Sequence, residues 1–206
     1  MLRVSSLRAV VFDLGGVLVQ INHSWGAAAR QCGLSVREDL ALGKDPDLTA
    51  YQGAEIGEAE YLQRLAARQG LTGAEEAQQL HMAILSDPYP GSKELVDTLQ
   101  ALGLVTACLS NTSALHWPFL TSVDHYPAIA ALHHHFASHE LGLNKPDTAI
   151  YATVELALAL EGPEIMFFDD GAANVAAAQK RGWQGVVIDP HDDPVRQMRG
   201  ALGLTD

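Results

Sequence analysis

The feature that most constrains this chain is an apolar run cut short by a carboxylate and two glycines. Ala9-Val10-Val11-Phe12 is too continuously apolar for a half-exposed strand and reads as a short, buried parallel one. It stops at Asp13-Leu14-Gly15-Gly16-Val17-Leu18, where the glycines let the backbone turn and approach a ligand closely. In open α/β sheets ligands bind beyond the carboxyl ends of the strands, which is where Asp13 falls. An aspartate that merely caps a turn would look the same in isolation, so the rest of the chain decides its meaning.

The pattern recurs. Leu104-Val105-Thr106-Ala107-Cys108-Leu109 is a second apolar strand, and it ends in Ser110-Asn111-Thr112. A hydroxyl and free backbone N–H groups at such a place form a natural anion site, although the same residues also make an ordinary helix cap. Glu164-Ile165-Met166-Phe167-Phe168 is a third strand, ending in Asp169-Asp170-Gly171. Two carboxylates about 4 Å apart repel by about 4 kcal/mol at an effective dielectric of about 20. Asp13 nearby would add to that unless a divalent cation sat among them. Oxygen-only ligands at this charge density suit Mg²⁺. Lys145-Pro146 lies between these strands, with Pro146 suited to the first turn of the following helix. Alone, Lys145 would pass for solvated surface.

Strands and helices alternate from residue 92 onward. Helices are expected over 92–102, 147–160 and 172–181, and strands over 104–110, near Phe136-Ala137-Ser138, over 164–169 and over 185–188. That alternation implies an α/β fold, a Rossmann-like three-layer core with a parallel sheet. Residues from about 20 to 87 show helical signals and no good strand. His23 to Gly33 and Glu58 to Gly70 read as helices ending at glycine, and Asp87-Pro88-Tyr89-Pro90-Gly91 as a return linker. The expected organisation is a core of 1–18 and 88–206 with an inserted α-helical cap of 19–87. His133-His134-His135 suggests a metal tract, but consecutive side chains diverge on a helix, so it reads as a solvated helix end.

Composition narrows the partners. A chain of 206 residues, 48% hydrophobic, can bury one substantial core and a smaller insertion. No apolar run is long enough to span a membrane, and the N-terminal run, broken by Asp13, lacks a cleavage site. Cys32 and Cys108 suggest no disulfide framework, so a reducing cytoplasm is the expected home. A net charge of −12 argues against nucleic acid and anionic membranes as partners. The expected partner is a small-molecule phosphate, bound by a monomer or homodimer.

In this order and over nearly the whole length, the segments resemble the haloacid dehalogenase (HAD) superfamily, most of whose members are phosphatases. Asp13 to Leu18 is similar to its first motif, Ser110-Asn111-Thr112 to the second, Lys145-Pro146 to the third, and Phe168-Asp169-Asp170 with Asn174 to the fourth. Leu115-His116-Trp117 through Tyr126-Pro127, and Leu141 to Pro146, further resemble a branch of small sugar-phosphate phosphatases. The resemblance implies a Mg²⁺-dependent phosphomonoester hydrolase acting on a small phosphorylated metabolite, such as a sugar phosphate, through an aspartyl-phosphate. Asp13 would be the nucleophile, and Asp13, the Gly15 carbonyl, Asp169 and Asp170 would hold the metal. Ser110 and the Asn111 N–H would hold phosphoryl oxygens, Lys145 would neutralise charge, and Asn174 would orient a metal-bound water.

One position departs from the family. Most of its phosphatases carry a second aspartate two residues after the nucleophile, as general acid and then base; here that residue is Gly15. Its carbonyl still serves a metal, but a proton-transfer role worth roughly 10²–10⁴-fold is vacated. Modest turnover is expected, or an acid from elsewhere, such as Glu55 or a histidine. Trp25, Tyr51, Glu55, His116 and Trp117 are candidates for contacting the organic part of the substrate, beside the ordinary reading of each as packing or surface. Three alternatives stand beside this reading. A hydrolytic 2-haloacid dehalogenase on the same fold would need no metal. A receiver domain would place the acidic pair before the phosphorylated aspartate. A non-catalytic binding or regulatory member is made thinkable by Gly15.

Overall fold

The computed structural model describes residues 7–204; residues 1–6 and 205–206, counted above with the core, lie outside the described residues. In chain order the first half runs β1 (Ala9–Phe12), β2 (Val19–Ile21), α1 (Trp25–Cys32), α2 (Pro46–Gln52), α3 (Glu58–Gln69), α4 (Ala74–Met82), β3 (Leu85–Pro88) and α5 (Ser92–Ala101). The second half runs β4 (Val105–Ser110), α6 (Trp117–Leu120), α7 (Pro127–Ala130), β5 (His134–Ala137), α8 (Ser138–Leu141), α9 (Thr148–Leu158), β6 (Ile165–Asp169), α10 (Ala172–Lys180), β7 (Gln184–Val187) and α11 (Pro194–Leu202).

Alternation along β1 explains the layers. Its four residues are fully buried, yet they face two different cores. Val10 and Phe12 pack with Leu95, Val96 and Leu99 of α5 and with Met198 and Leu202 of α11. Ala9 and Val11 pack with Ile150, Tyr151 and Val154 of α9 and with Ala177 and Ala178 of α10. A strand covered on both faces belongs at the middle of a parallel sheet, and the order is β5-β4-β1-β6-β7, all parallel. Each such side chain contributes about 1.5–3 kcal/mol on burial, so a polar residue at Val10 or Val11 would break the sheet at its centre.

Register then places the chemistry. Phe12 is level with both Cys108 and Phe168, so Asp13 ends level with Asp169, and Ser110 lies one residue further out. The ladder continues through Asp13, whose N–H donates to the Phe168 carbonyl at 2.8 Å.

A third core, including Trp25, Leu48, Tyr51, Tyr61, Leu65 and Leu80, binds α1 to α4 together, with the Tyr51 and Tyr61 rings stacked 4.4 Å apart. Helices α1 and α3 close on the left-handed glycines Gly33 and Gly70, as expected. The expectation of no strand over 20–87 is corrected: β2 and β3 pair antiparallel with each other. They are three and four residues long, and Ser-Asp-Pro in β3 is a sequence that β propensity disfavours.

Two further expectations change. His133-His134-His135 is no helix end: His134 opens edge strand β5 and His135 donates Nε2–H to the Ile129 carbonyl at 2.7 Å. His133 Nδ1 accepts from the Thr106 N–H at 3.1 Å, which draws it to the neighbouring strand. Pro146 falls outside the first turn of α9, because Asp147 caps that helix by accepting from the Ala149 N–H.

Candidate active site

The ends of β1 and β6 bring three carboxylates together. Asp13, Asp169 and Asp170 each offer an oxygen, all lying within 4.8 Å of one another. Lys145 arrives from the loop before α9 and is almost wholly buried among them, with Nζ 3.0 Å from Asp13 Oδ1 and 2.6 Å from Asp169 Oδ2. It is therefore no solvated surface residue. Asp13 Oδ1 also accepts from the Leu14 N–H at 2.7 Å. Asp169, fully buried, takes the Gly171 N–H at 2.7 Å and Asn174 Nδ2 at 2.9 Å on its Oδ1. Asn174 is thus engaged in holding Asp169.

The electrostatics follow from that crowding. Burial raises the Asp13 carboxyl to about 7, with Asp169 and Asp170 adding to the rise and Lys145 opposing it. Burial and Asp169 likewise raise Asp170, against His23 and Lys145. Burial pushes the Lys145 ammonium down, but Asp13 and Asp169 outweigh it and hold the group above its ordinary range. Three carboxylates facing one ammonium leave an excess of negative charge, and every donor is a hard oxygen. The residues present therefore fit a hard divalent cation.

The glycines of the turn serve that cluster. Gly16 has φ +74°, and a Cβ there would lie 2.6 Å from Asp170 Oδ2, so no other residue fits without displacing the carboxylate. At Gly15 a Cβ would meet only the flexible tip of Ile21, at 2.9 Å.

The phosphate-binding candidates are pinned from both sides. Ser110, at the end of β4, is buried and lines the cavity over Asp13. The Asn111 side chain does more than its sequence position suggests: Nδ2 donates to the Lys145 carbonyl at 2.9 Å and Oδ1 accepts the Lys145 N–H at 2.8 Å. Ser138 holds the next residue the same way, its Oγ accepting the Thr112 N–H and donating to the Thr112 carbonyl.

The cavity holds about 510 Å³. Asp13, Gly15, Ser110, Asn111, Lys145 and Asp170 all line it, so the structure brings the expected site residues together, with Asp169 just beneath. Of the five candidate substrate contacts only His116 lines it. Trp25 is fully buried in the third core and donates Nε1–H to Asp45 Oδ2 at 2.7 Å; Tyr51 stacks on Tyr61. Trp117 packs edge-on to His135 and His139, and Glu55 is exposed and outside the lining. Sequence reasoning missed His23, Leu42, Leu48, Thr49, Gln52 and Ile84. The Thr49-to-Gln52 spacing on α2, behind an Asp45-Pro46 helix start, was the available signal for the last wall.

Helices α2 to α4 meet the sheet through uncharged groups. Gln52 Nε2 donates to the Asn111 carbonyl at 3.1 Å, and Asn144 Nδ2 donates to the Thr49 carbonyl at 2.9 Å. His81 bridges Tyr61 Oη at 2.8 Å and Ser113 Oγ at 2.9 Å, and its ring stacks on His116 at 4.0 Å. Burial pushes His116 down to about 4 and His81 well below its usual value. His116 Nε2–H donates to the His81 carbonyl at 2.9 Å, so at neutral pH it is a neutral ring and no acid to replace the missing aspartate.

Known proteins are similar to this chain. A curated mouse (Mus musculus) protein, acyl-CoA dehydrogenase family member 10, is 24% identical over 212 residues, which take in 97% of this chain and 19% of that protein. The chain thus spans about a fifth of that relative's length. A Porphyromonas gingivalis protein predicted to be a HAD-like family hydrolase superposes with a TM-score of 0.81 at 22% identity, covering 96% of this chain and 98% of that one. A HAD family enzyme of Bacteroides thetaiotaomicron, solved with magnesium and inorganic phosphate, gives 0.76 at 19% identity, covering 94% and 100%. A solved dehalogenase gives 0.70 at 23%, covering 93% and 89%. At these identities the solved structures show a shared fold. The family model of haloacid dehalogenase-like hydrolases matches residues 7–182, a span that takes in every residue of the cavity, and the chain belongs to that family of enzymes.

Proposed function

We propose that this chain is a Mg²⁺-dependent phosphomonoesterase that works through an aspartyl-phosphate on Asp13, with the segment 19–87 as a cap over the reacting group. The observation that carries this reading is the convergence of Asp13, Asp169 and Asp170 around a single ammonium, beneath the anion-binding end of β4. Asp13, the Gly15 carbonyl and Asp170 would hold the ion. Asp169 completes the oxygen set, but it already accepts from Lys145, Gly171 and Asn174, and its main part is to position them. Mg²⁺ bound there would offset phosphoryl charge and keep Asp13 ionised. The Bacteroides enzyme solved with magnesium and phosphate supports the same assignment by its fold.

Both contacts to Asp13 use Oδ1, which leaves Oδ2 to attack phosphorus as the ester oxygen departs. Lys145 and the Ser110 hydroxyl offset charge on the phosphoryl oxygens. Water then attacks the phosphorus of the aspartyl-phosphate, releasing inorganic phosphate and regenerating the carboxylate. With glycine at position 15, the departing oxygen lacks the usual proton donor, which favours leaving groups that need none. Free Cys32 and Cys108 accord with a reducing cytoplasm as the setting.

The test is hydrolysis of p-nitrophenyl phosphate with and without Mg²⁺, beside Asp13→Asn. Metal-dependent release that vanishes in the variant supports the reading. Release that survives Asp13→Asn overturns it, and a folded protein that instead hydrolyses 2-haloacids is a dehalogenase.

A further inference from the structure

A proton donor for the leaving oxygen has to stand elsewhere in the cavity wall, because position 15 has none to give. The place a side chain on Gly15 would take is filled by the tip of Ile21, 2.9 Å from where a Cβ would stand. The lining contains five titratable side chains, those of Asp13, His23, His116, Lys145 and Asp170. Four are committed. Asp13 is the nucleophile of the proposed reaction and Asp170 faces the metal position. Lys145 is tied to Asp13 and Asp169, which hold its ammonium charged. His116 gives its Nε2–H to the His81 carbonyl, and burial keeps that ring neutral. Glu55 is exposed and outside the lining. His23 remains.

Its place follows from the ribbon. Hydrogen bonding toward the β3 side runs one residue past β2, where the Asn22 N–H donates to the Ile84 carbonyl at 2.9 Å. Side chains two residues apart along an extended chain point the same way. His23 therefore follows Ile21 toward the cavity, and both line it. The ring also borders an outer hollow, shared with Asn22, Ser24, Asp170 and His191. It meets His191 edge-on, ring centres 6.1 Å apart, and Asp170 lies within electrostatic reach. Those two are the titratable groups shown facing it, one from the end of β6 and one from the loop after β7. Imidazole is the side chain suited to giving a proton in one step and taking it back in the next.

We propose that His23 is the catalytic acid and base of this chain, in place of the aspartate that position 15 lacks. The assignment deepens the phosphatase reading and rests on it. In the first step Asp13 Oδ2 bonds to phosphorus and the ester oxygen leaves. That oxygen takes the proton of the His23 imidazolium and departs as a neutral alcohol. In the second step a water oxygen bonds to phosphorus and the bond to Asp13 breaks. The neutral His23 ring takes the proton the water gives up, so it ends the cycle as it began. Acting from a neighbouring wall, His23 recovers part of the roughly 10²–10⁴-fold that such a group supplies. Basic leaving oxygens stay slower than those that need no proton.

The test compares wild type and His23→Asn, both loaded with Mg²⁺, on p-nitrophenyl, phenyl and p-methoxyphenyl phosphate. These leaving groups are alike in shape and increasingly basic. The readout is kcat/KM, which follows the transition state reached from free enzyme and substrate, here the one in which the proton is given. His23 is exposed, so the substitution removes no core packing. The loss in His23→Asn is smallest on p-nitrophenyl phosphate and grows along the series, to about ten- to a hundredfold on the last member. Adding Gly15→Asp to His23→Asn restores that loss, and gains more there than in the wild-type background, since two donors compete for one task. An equal loss on all three substrates, or none, overturns the assignment, as does an equal Gly15→Asp gain in both backgrounds. Absence of Asp13-dependent p-nitrophenyl phosphate hydrolysis in the wild type is the separate failure of the phosphatase reading, and the assignment falls with it.

Discussion

The two sides of the cavity are built on opposite terms. The sheet side crowds Asp13, Asp169, Asp170 and Lys145 into one cluster whose members arrive at strand ends and are fixed by register. The facing segment, residues 19–87, meets it through Gln52, Thr49 and His81, neutral groups carried on helices, with His81 stacked on His116 of the sheet side. On the function proposed above, charge is concentrated where phosphorus would be held, and shape is left to the side that would face the leaving group.

Each prediction breaks or sharpens that contrast. Asp13→Asn should lower aryl phosphate turnover by about 10⁴-fold or more, since a nucleophile's loss removes the route itself. Steady-state rates check it, and a loss under tenfold would mean that the sheet side does not hold the reacting group. Lys145→Met should cost about 3 kcal/mol or more of stability, because Asp13 and Asp169 are left buried without their partner. Urea unfolding reads this, and added Mg²⁺ should recover part of the loss. Gly15→Asp should raise turnover of alkyl phosphates by about ten- to a hundredfold by restoring a proton donor, with only Ile21 needing to move. No gain would show that proton transfer at this position does not limit the rate.

The smallest effect is a matter of sign. Where the two sides meet, folded His116 sits at about 4 and His81 is also depressed, against 6.5 when unfolded. The unfolded chain therefore takes up protons first, and stability present above pH 6.5 is lost as pH falls toward 4. On the sheet side, the metal-free Asp13 is raised from 3.8 to about 7, so its contribution is full below pH 3.8 and lost as pH rises through 7. Unfolding curves across pH 4–7, with and without Mg²⁺, separate the two: the ion should abolish the second slope and leave the first. His116→Gln should flatten the first alone.

What was legible in the chain follows the same division. Asp13, Ser110, Asn111 and the Asp169-Asp170 pair announce themselves because an apolar strand ending in polar residues is a local signal. Lys145 was readable only with the motifs around it, since nothing local foretells its burial. For Trp25 and Tyr51 the ordinary reading of packing holds: aromatic residues attract attention as ligand contacts, but these two have much apolar surface to hide and are drawn into the third core. Thr49 and Gln52 line the cavity through where α2 docks, which sequence spacing alone does not reveal. Helix α11 went unread although Asp193-Pro194 is a helix-start signal: Asp193 accepts from the Arg196 N–H and Pro194 opens the first turn.

The short ribbon of β2 and β3 has a mechanical consequence. The chain leaves the sheet and returns to it along two strands bonded to each other, and the pairing runs on where the Tyr89 N–H donates to the Leu18 carbonyl at 3.0 Å. The segment between them hangs from a double strap, which can bend about one line but resists twisting. Ile21 on one strap and Leu85 on the other both border the cavity. Tilting the strap and changing the width of the entrance are therefore a single motion, and a stiffer ribbon would slow the exchange of ligands before it altered any step at Asp13.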